Sequence, residues 1–460
     1  MKYFFRVLLL LTILFPIKVI EAAPIDNIRY SVTPSRIRIV LDSKGEIKYK
    51  ASKLNKEITV EFPQSSYKRI KTTINDELLR RVAFLDDGKK GSRLQISLSK
   101  NCQYNTFTLA NPHRFVIDLY KIEKIDKTTN LQKDVKYRFL QDELDGKQFQ
   151  AYIVNVAPSA DFELRPFSAA GSYNGRGSLV KRAAGLGTLV AINSSYFDSD
   201  GWVVGITKDK GKMLSMEEGV HSAFLVRAGK PAIVKDAYYN AYLELKNGEK
   251  LFIKGMNRSR IAEDCVLYND AYAPSTKTNQ WGREIKIKNG KVISVSSLGN
   301  MTIEPGTQVI SGHGVNAKKL QSVNIGDDVK LAESFNNTIL TQAETIVGAG
   351  PMLIEKGKIN VRSTEERIAK DIAQGRSPRT AIGITADGSV LLVVVDGRSF
   401  SSCGMTLNEL ASFLSNLGAV EALNFDGGGS SEMVIKGKIV NKPSDGKERL
   451  ISMGLGLFSK

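Results

Sequence analysis

The stretch TLNELASFLSNLGAVEALNFDGGGSSE, Thr406 to Glu432, sets the frame for the C-terminal part of this 460-residue chain. Leu407, Leu410, Ala411, Leu414 and Leu417 recur at three- and four-residue steps, the spacing that gathers apolar side chains on one helix face. Thr406 with Glu409 is a capping-box signature, and Gly418 supplies the stop. The helix therefore reads as core-facing scaffold. After it, AVEALNF reads as a short apolar strand that ends on Asp426, with Gly427, Gly428 and Gly429 directly behind. Glycine at a strand end loses backbone entropy on folding, so this junction is either a tight turn or a functional element.

Upstream, VLLVVVDGR, Val390 to Arg398, reads as another strand. The order strand, helix, strand brings Asp396 and Asp426 to corresponding strand ends. On parallel strands the two carboxylates share one edge, at a separation set by strand order. A second helix is expected around Ser178 to Ala184, delivering the strand TLVAIN and the loop at Asn193.

The first residues, MKYFFRVLLLLTILFPIKVIEAAPIDN, place Lys2 and Arg6 ahead of the apolar run Val7 to Phe15, with Ala22 and Ala23 before polar sequence begins. This is the layout of a cleavable secretory signal over residues 1–23. An uncleaved anchor is the alternative, but the run is short and Pro16 and Lys18 interrupt it. No later stretch has the length of a membrane span, so the expectation is an exported protein with no transmembrane segment after cleavage. Cys102, Cys265 and Cys403 are scattered, which excludes a disulfide framework and zinc-type spacing. His113, His221 and His313 are scattered as well. The formal charge is +17, or +15 without residues 1–23. Excess cation favours anionic partners such as a phosphorylated glycan or wall polymer, or simply solubilises the surface. The basic residues are dispersed and no nucleic-acid motif occurs, so no nucleic-acid partner is expected.

From Ile28 to Tyr120, the runs IRIVLDS, EITVEFP, SRLQISLS and RFVIDLY alternate between turn signals and read as strands of a small β module spanning 24–120. Its close, NPHRFVIDLY, resembles the end of the AMIN domain, a β-sandwich module of exported bacterial proteins linked with envelope or peptidoglycan localisation. The polar segment KIEKIDKTTNLQKDVK then reads as a linker, 121–148, leading to a domain over 149–460. The expected class is α+β: a β-sandwich-like module followed by a mixed α/β domain.

That second domain resembles the phosphodiester glycosidase family, whose members include the enzyme that uncovers mannose 6-phosphate by removing N-acetylglucosamine from a phosphodiester. Motifs agree in order: NSSYFD at Asn193, MNRSR, VLYNDAYAPSTKTNQWGREIKIKNGKV, GAGPMLIEKGK with Gly348 and Gly350, RTAIGI at Arg379, VVDGRS with Asp396 and Arg398, GMTLNELASFL, ALNFDGGGSS and VNKPSDG. Ser194 and Ser195 stand where the family usually has glycines, so the loop bends differently or offers hydroxyl donors.

The resemblance implies an exported hydrolase that cleaves a glycosyl phosphodiester in an envelope or extracellular glycan, with the N-terminal module contacting peptidoglycan. The alternative is a non-catalytic glycan-binding or exopolysaccharide assembly protein. Breaking a sugar-phosphate bond requires stabilising an oxocarbenium-like centre and a departing phosphate, so positioning and anion stabilisation dominate. Asp426 is the leading candidate for carboxylate chemistry, as base or nucleophile, and Asp396 the second. Arg379 and Arg398 offer forked donors for phosphate oxygens. Gly427, Gly428 and Gly429 would form a nest of amides, and Ser430 a hydroxyl donor. Asn193, Ser194, Ser195, Gly348 and Gly350 would line the substrate. Each has a plainer reading: a turn at the glycines, a structural ion pair at Arg379, a hairpin at Asp396-Gly397. No cofactor is required, and a divalent ion held by Asp426 and Asp396 is the alternative.

Overall fold

The computed structural model describes residues 24–63, 65, 74–86, 91–100, 102–121, 124–144, 147–216 and 221–460. The expected signal segment, 1–23, lies outside the described residues. The chain divides after residue 122 into two compact units.

In the first unit, two four-stranded antiparallel sheets face each other. One has the order Ile25–Val32, Arg36–Ser43, His113–Tyr120, Gln103–Leu109, and the other Lys50–Leu54, Glu57–Phe62, Ser92–Leu98, Leu79–Asp86. Alternation decides which residues meet: Ile37, Ile39 and Leu41 from one sheet and Ile58, Val60 and Phe62 from the other are fully buried in one core. The buried Asp118 accepts from Arg38 Nε and Nη2 at 2.7 and 2.8 Å, a two-pronged pair that excuses a carboxylate in an apolar strand.

The second unit is not the mixed α/β domain expected. Among the described residues strands account for 51% and helix for 9%, with five short helices. Among the described residues every strand pairing but one, Gly255–Met256 with Cys265–Asn269, is antiparallel. The fold is therefore β-rich rather than α+β. Its main sheet has eight strands in the order Lys358–Ile359, Met352–Glu355, Ala419–Asn424, Arg379–Thr385, Val390–Val395, Lys147–Val156, Val135–Leu144, Ile125–Gln132. The strand, helix, strand unit does exist, but Arg379–Thr385 runs antiparallel between its two strands. Runs such as LLVVV are apolar on both faces because both faces are covered, a pattern shared with parallel sheets. Here helix Leu407–Asn416 lies on one face, with Leu410 and Leu414 against Ala381 and Ala422. On the other, Leu392, Val394 and Leu423 pack against Ile192, Met433 and Leu455 of a five-stranded sheet ordered Phe162–Ser168, Met453–Ser459, Val190–Asn193, Met433–Ile435, Lys438–Ile439.

The segment read as a linker is also strand. Ile125–Gln132 is the edge of the eight-stranded sheet and Val135–Leu144 its neighbour. Most side chains of Ile125–Gln132 face solvent, so main-chain pairing holds it in place, and charged edge strands resist pairing with other chains. The β-branched pair Thr128 and Thr129 carried the signal that polarity masked.

The cap on the long helix is as the sequence implies: Thr406 Oγ1 accepts from Glu409 N at 3.2 Å, and Glu409 Oε2 accepts from Thr406 N at 2.8 Å. Glu409 also holds Arg376. Thr406→Ala should therefore destabilise the second unit by about 1 kcal/mol in urea titrations, and an unchanged midpoint would show that the cap contributes nothing.

Candidate functional site

Because Arg379–Thr385 is antiparallel to both neighbours, Val390–Val395 and Ala419–Asn424 run parallel to each other, and their ends lie on one edge. Arg379 begins the strand between them, opposite Val395, with Ala381 opposite Asn424. The pleat then sorts the three residues. Arg379 shares the helix-covered face with Ala381, and Asp426 follows Ala422 and Asn424 on that face. Asp396 follows Leu392 and Val394 on the other.

A cavity of about 170 Å³ opens where Arg379 and Asp426 emerge, lined by both together with Arg398, Gly427, Gly428, Gly429, Asp371, Ser377 and Arg449. Asp396 is not among the lining residues. Only 3% exposed, it accepts from Tyr152 Oη at 3.0 Å, Asn441 Nδ2 at 3.0 Å and Lys442 N at 3.1 Å. It thereby anchors the start of the segment that carries Asp445 and Arg449. Burial raises its carboxyl above the usual range, and the bonds from Asn441 and Tyr152 hold it back.

Asp426 is partly buried, with its acid pushed up to about 6 by desolvation, an effect that Ser430, the Gly427 amide and the charge of Arg449 reduce. Arg379 is 2% exposed, and its donors are largely spent: Nε on Met405 O at 2.9 Å, Nη2 on Ile372 O at 3.0 Å and Gly375 O at 2.6 Å. Among the described residues no carboxylate forms an ion pair with it. A guanidinium has five N–H donors, so those on Nη1 remain for a ligand, and the fixed cation is set at the cavity wall. Burial lowers its pKa, as it must for a cation without a close counter-ion.

The glycines serve the site differently from an open nest. Gly428 N donates to Pro378 O, Ser430 N to Gly427 O and Ser431 N to Gly428 O, so the turn closes on itself as a short 3-10 helix. What it gains is access. A Cβ on Gly429 would lie 2.0 Å from Arg449 Nη2 and 2.2 Å from Asp445 Oδ2, and Gly428, at φ +62°, passes beneath Arg398. Arg449 pairs with Asp445 at 2.6 Å, and Arg398, half exposed, reaches the same carboxylate at 4.0 Å. Three guanidinium groups thus surround one small cavity.

The remaining sequence candidates form the layer beneath. Asn193 Nδ2 donates to Asp426 O at 2.6 Å, and its Oδ1 accepts from Thr380 Oγ1 and Glu432 N. Ser194 O accepts from Asp426 N at 2.8 Å, while its hydroxyl is buried without a partner. Ser195 Oγ donates to Gly348 O at 2.8 Å, and Tyr196 Oη donates to Gly350 O at 2.8 Å while accepting from Asn424 Nδ2. Ser195, Gly348 and Gly350 therefore brace the loop under Asp426. Sequence reading missed Arg449 and Asp371; the motif VNKPSDG pointed to the segment, but not to the arginine four residues beyond Asp445. Asp426 and Asp396 stand on opposite sheet faces, which is not the arrangement for one ion shared between them. Among the described residues no group of three or more His, Cys, Asp or Glu is placed to hold a metal.

A stretch of 76 residues is 42% identical to an SPbeta prophage-derived protein of Bacillus subtilis, covering 16% of this chain and 12% of that one. A stretch of 69 residues is 41% identical to the N-acetylglucosamine-1-phosphodiester alpha-N-acetylglucosaminidase of Mus musculus, covering 15% and 13%. The chain thus aligns with only about an eighth of the length of these relatives. The fold as a whole resembles the crystal structure of a hypothetical protein from Synechocystis, with a TM-score of 0.68 and 22% identity over 96% of this chain and 81% of that one. Residues 281–458 match the phosphodiester glycosidase family, and residues 81–137 match the AMIN domain.

Proposed function

We propose that the chain is an exported hydrolase that cleaves the bond between a sugar anomeric carbon and a phosphodiester in an envelope or extracellular glycan. The observation that carries this reading is a single cavity holding Asp426 among Arg379, Arg398 and Arg449. The arginines take the phosphate, with Arg398 and Arg449 as forked donors at the mouth and Arg379 as the buried charge behind. Asp426 accepts the proton of the water that adds to the anomeric carbon as the C–O bond breaks, and the bonding pair leaves with the phosphate. A phosphate monoester is a good leaving group, so one base suffices without a matched general acid. The β-sandwich unit and its AMIN match support a contact with peptidoglycan. Among the described residues no helix is long and apolar enough to cross a membrane.

Incubating the mature chain with a panel of sugar 1-phosphodiesters tests the activity; binding without release of sugar from any of them would favour the glycan-binding alternative. Asp426→Asn should lower kcat by about 10²- to 10⁴-fold, and wild-type kcat should fall about tenfold per pH unit below about 6, where the base becomes protonated. Equal rates in the two proteins would remove Asp426 from the mechanism.

The same shift sets a stability signature. Because the folded pKa of Asp426 lies above its unfolded value, its contribution is fully present below the unfolded pKa and is lost as pH rises through about 6. Asp426→Asn should therefore raise the melting temperature at pH 7 but not at pH 3.5, measured by calorimetry. Arg398→Ala should raise KM for a phosphodiester about tenfold to a hundredfold, the range for a lost charge-assisted bond, while a neutral glycoside competitor binds as before.

A further inference from the structure

Glu432 stands where the chain leaves the glycine turn for strand Met433–Ile435. It is 3% exposed, and its Oε1 has no hydrogen-bond partner. By the alternation of the pleat it faces the side of Val434, where Leu179, Ala183, Ala191 and Ile451 form an apolar cluster. The acidic group that meets it is Glu448, within hydrogen-bonding reach. Glu448 in turn accepts from Ser178 Oγ at 2.8 Å on both oxygens and from Val180 N at 3.0 Å, which clips it to the start of helix Leu179–Gly185. The next residue is Arg449, a wall of the cavity.

The other charged side chains on the elements packed here are Lys181 and Arg182 on the helix, Lys436 and Lys438 beyond the strand, and Lys442, Asp445, Lys447 and Arg449 on the closing segment. Strands Val190–Asn193 and Met453–Ser459 contribute none. Among the described residues none of these cations forms an ion pair with Glu432. Two ionised carboxylates would leave an unpaired charge against an apolar cluster. With one proton on Glu432, its O–H donates to Glu448, and only a neutral carbonyl oxygen is left without a partner.

We propose that Glu432 and Glu448 share one proton, and that this bond seats the segment Asn441 to Arg449 so that Arg449 faces the cavity. Glu432 is then a positioning residue for the phosphate site, and the inference rests on the reading of Arg449 as a phosphate ligand. Burial and, next, the charge of Glu448 push the Glu432 acid up to about 8. Its folded pKa is raised above the ordinary glutamate value of about 4.5, so the stabilisation is fully present below about 4.5 and is lost as pH rises through about 8. The clamp holds at neutral pH and releases in alkali.

Infrared spectra of the mature chain should show a carboxylic-acid C=O band that titrates near pH 8 and is missing from E432Q. Hydrogen exchange in Asn441–Ser452, corrected for intrinsic rate, should lose about tenfold protection between pH 7 and pH 9 in the wild type and not in E432Q. KM for a sugar 1-phosphodiester should rise over the same interval in the wild type alone. If E432Q does not fold, E448Q serves: it keeps an acceptor for Ser178 and Val180 and should move the titration of Glu432 towards acid. Absence of the band, or equal alkaline loss of protection in wild type and E432Q, would overturn the inference. The spectroscopic and exchange arms decide it even if no phosphodiester is cleaved, which separates its failure from that of the proposed activity.

Discussion

The side chain of Asn193 ties the second unit together at the point where its two main sheets meet. It is 1% exposed, and its amide joins the carbonyl of Asp426, the hydroxyl of Thr380 and the main-chain N–H of Glu432. Thr380 and Asp426 belong to the eight-stranded side; Asn193 and Glu432 belong to the five-stranded side. Nδ2, through Asp426, and Oδ1, through Thr380, each make a bond across the sheet junction, while Glu432 N binds Oδ1 from the near side, in a region where an unmade bond costs about 1–3 kcal/mol. The carboxylate, the glycine turn and the segment bearing Arg449 are all placed relative to this knot.

That placement explains why the site is small and lopsided. Apolar side chains fill both faces of the sheet up to its edge, with Phe425 fully buried immediately before Asp426. A carboxylate at such an edge is partly removed from water, and its proton affinity rises. The arginines reach the same point by different means: Arg379 from within the sheet, held by carbonyls, and Arg398 and Arg449 from loops that need bare backbone beneath them. A rigid core on one side and adaptable cations on the other suit a ligand with a fixed reacting centre and a variable tail.

Much of this is legible in the sequence where a local rule decides the outcome. The helix Leu407–Asn416 follows from its spacing and cap, the β-sandwich unit from alternation, and the shared edge of Asp396 and Asp426 from the strand, helix, strand order. What escapes is non-local. Nothing near Val390 or Ala419 announces that Arg379–Thr385 inserts between them, and without that the class is misread. The opposite orientation of Asp396 follows from pleat parity once strand limits are known, but Asp-Gly reads equally well as a turn. The edge strand Ile125–Gln132 is polar because its side chains have nothing to pack against, which composition alone cannot distinguish from a linker. Ser195 sets its hydroxyl on Gly348 O, a partner that only the folded chain supplies, whereas Ser194 bonds Asp426 through its carbonyl, which glycine would offer equally, and nothing in the structure explains its side chain.

The contact between Asp445 and the two arginines has a further meaning. A carboxylate tethered beside Arg449 and Arg398 acts as a resident competitor at very high effective concentration. Any incoming anion must outbid it. Abundant monovalent anions make weak, single-pronged contacts and would be turned away, whereas the phosphodiester of the proposed reaction, if held at the same time by the buried Arg379, would have the additional contact required to win. Selectivity among anions would then come from the resistance the empty site offers, and less from the strength of any one bond it makes.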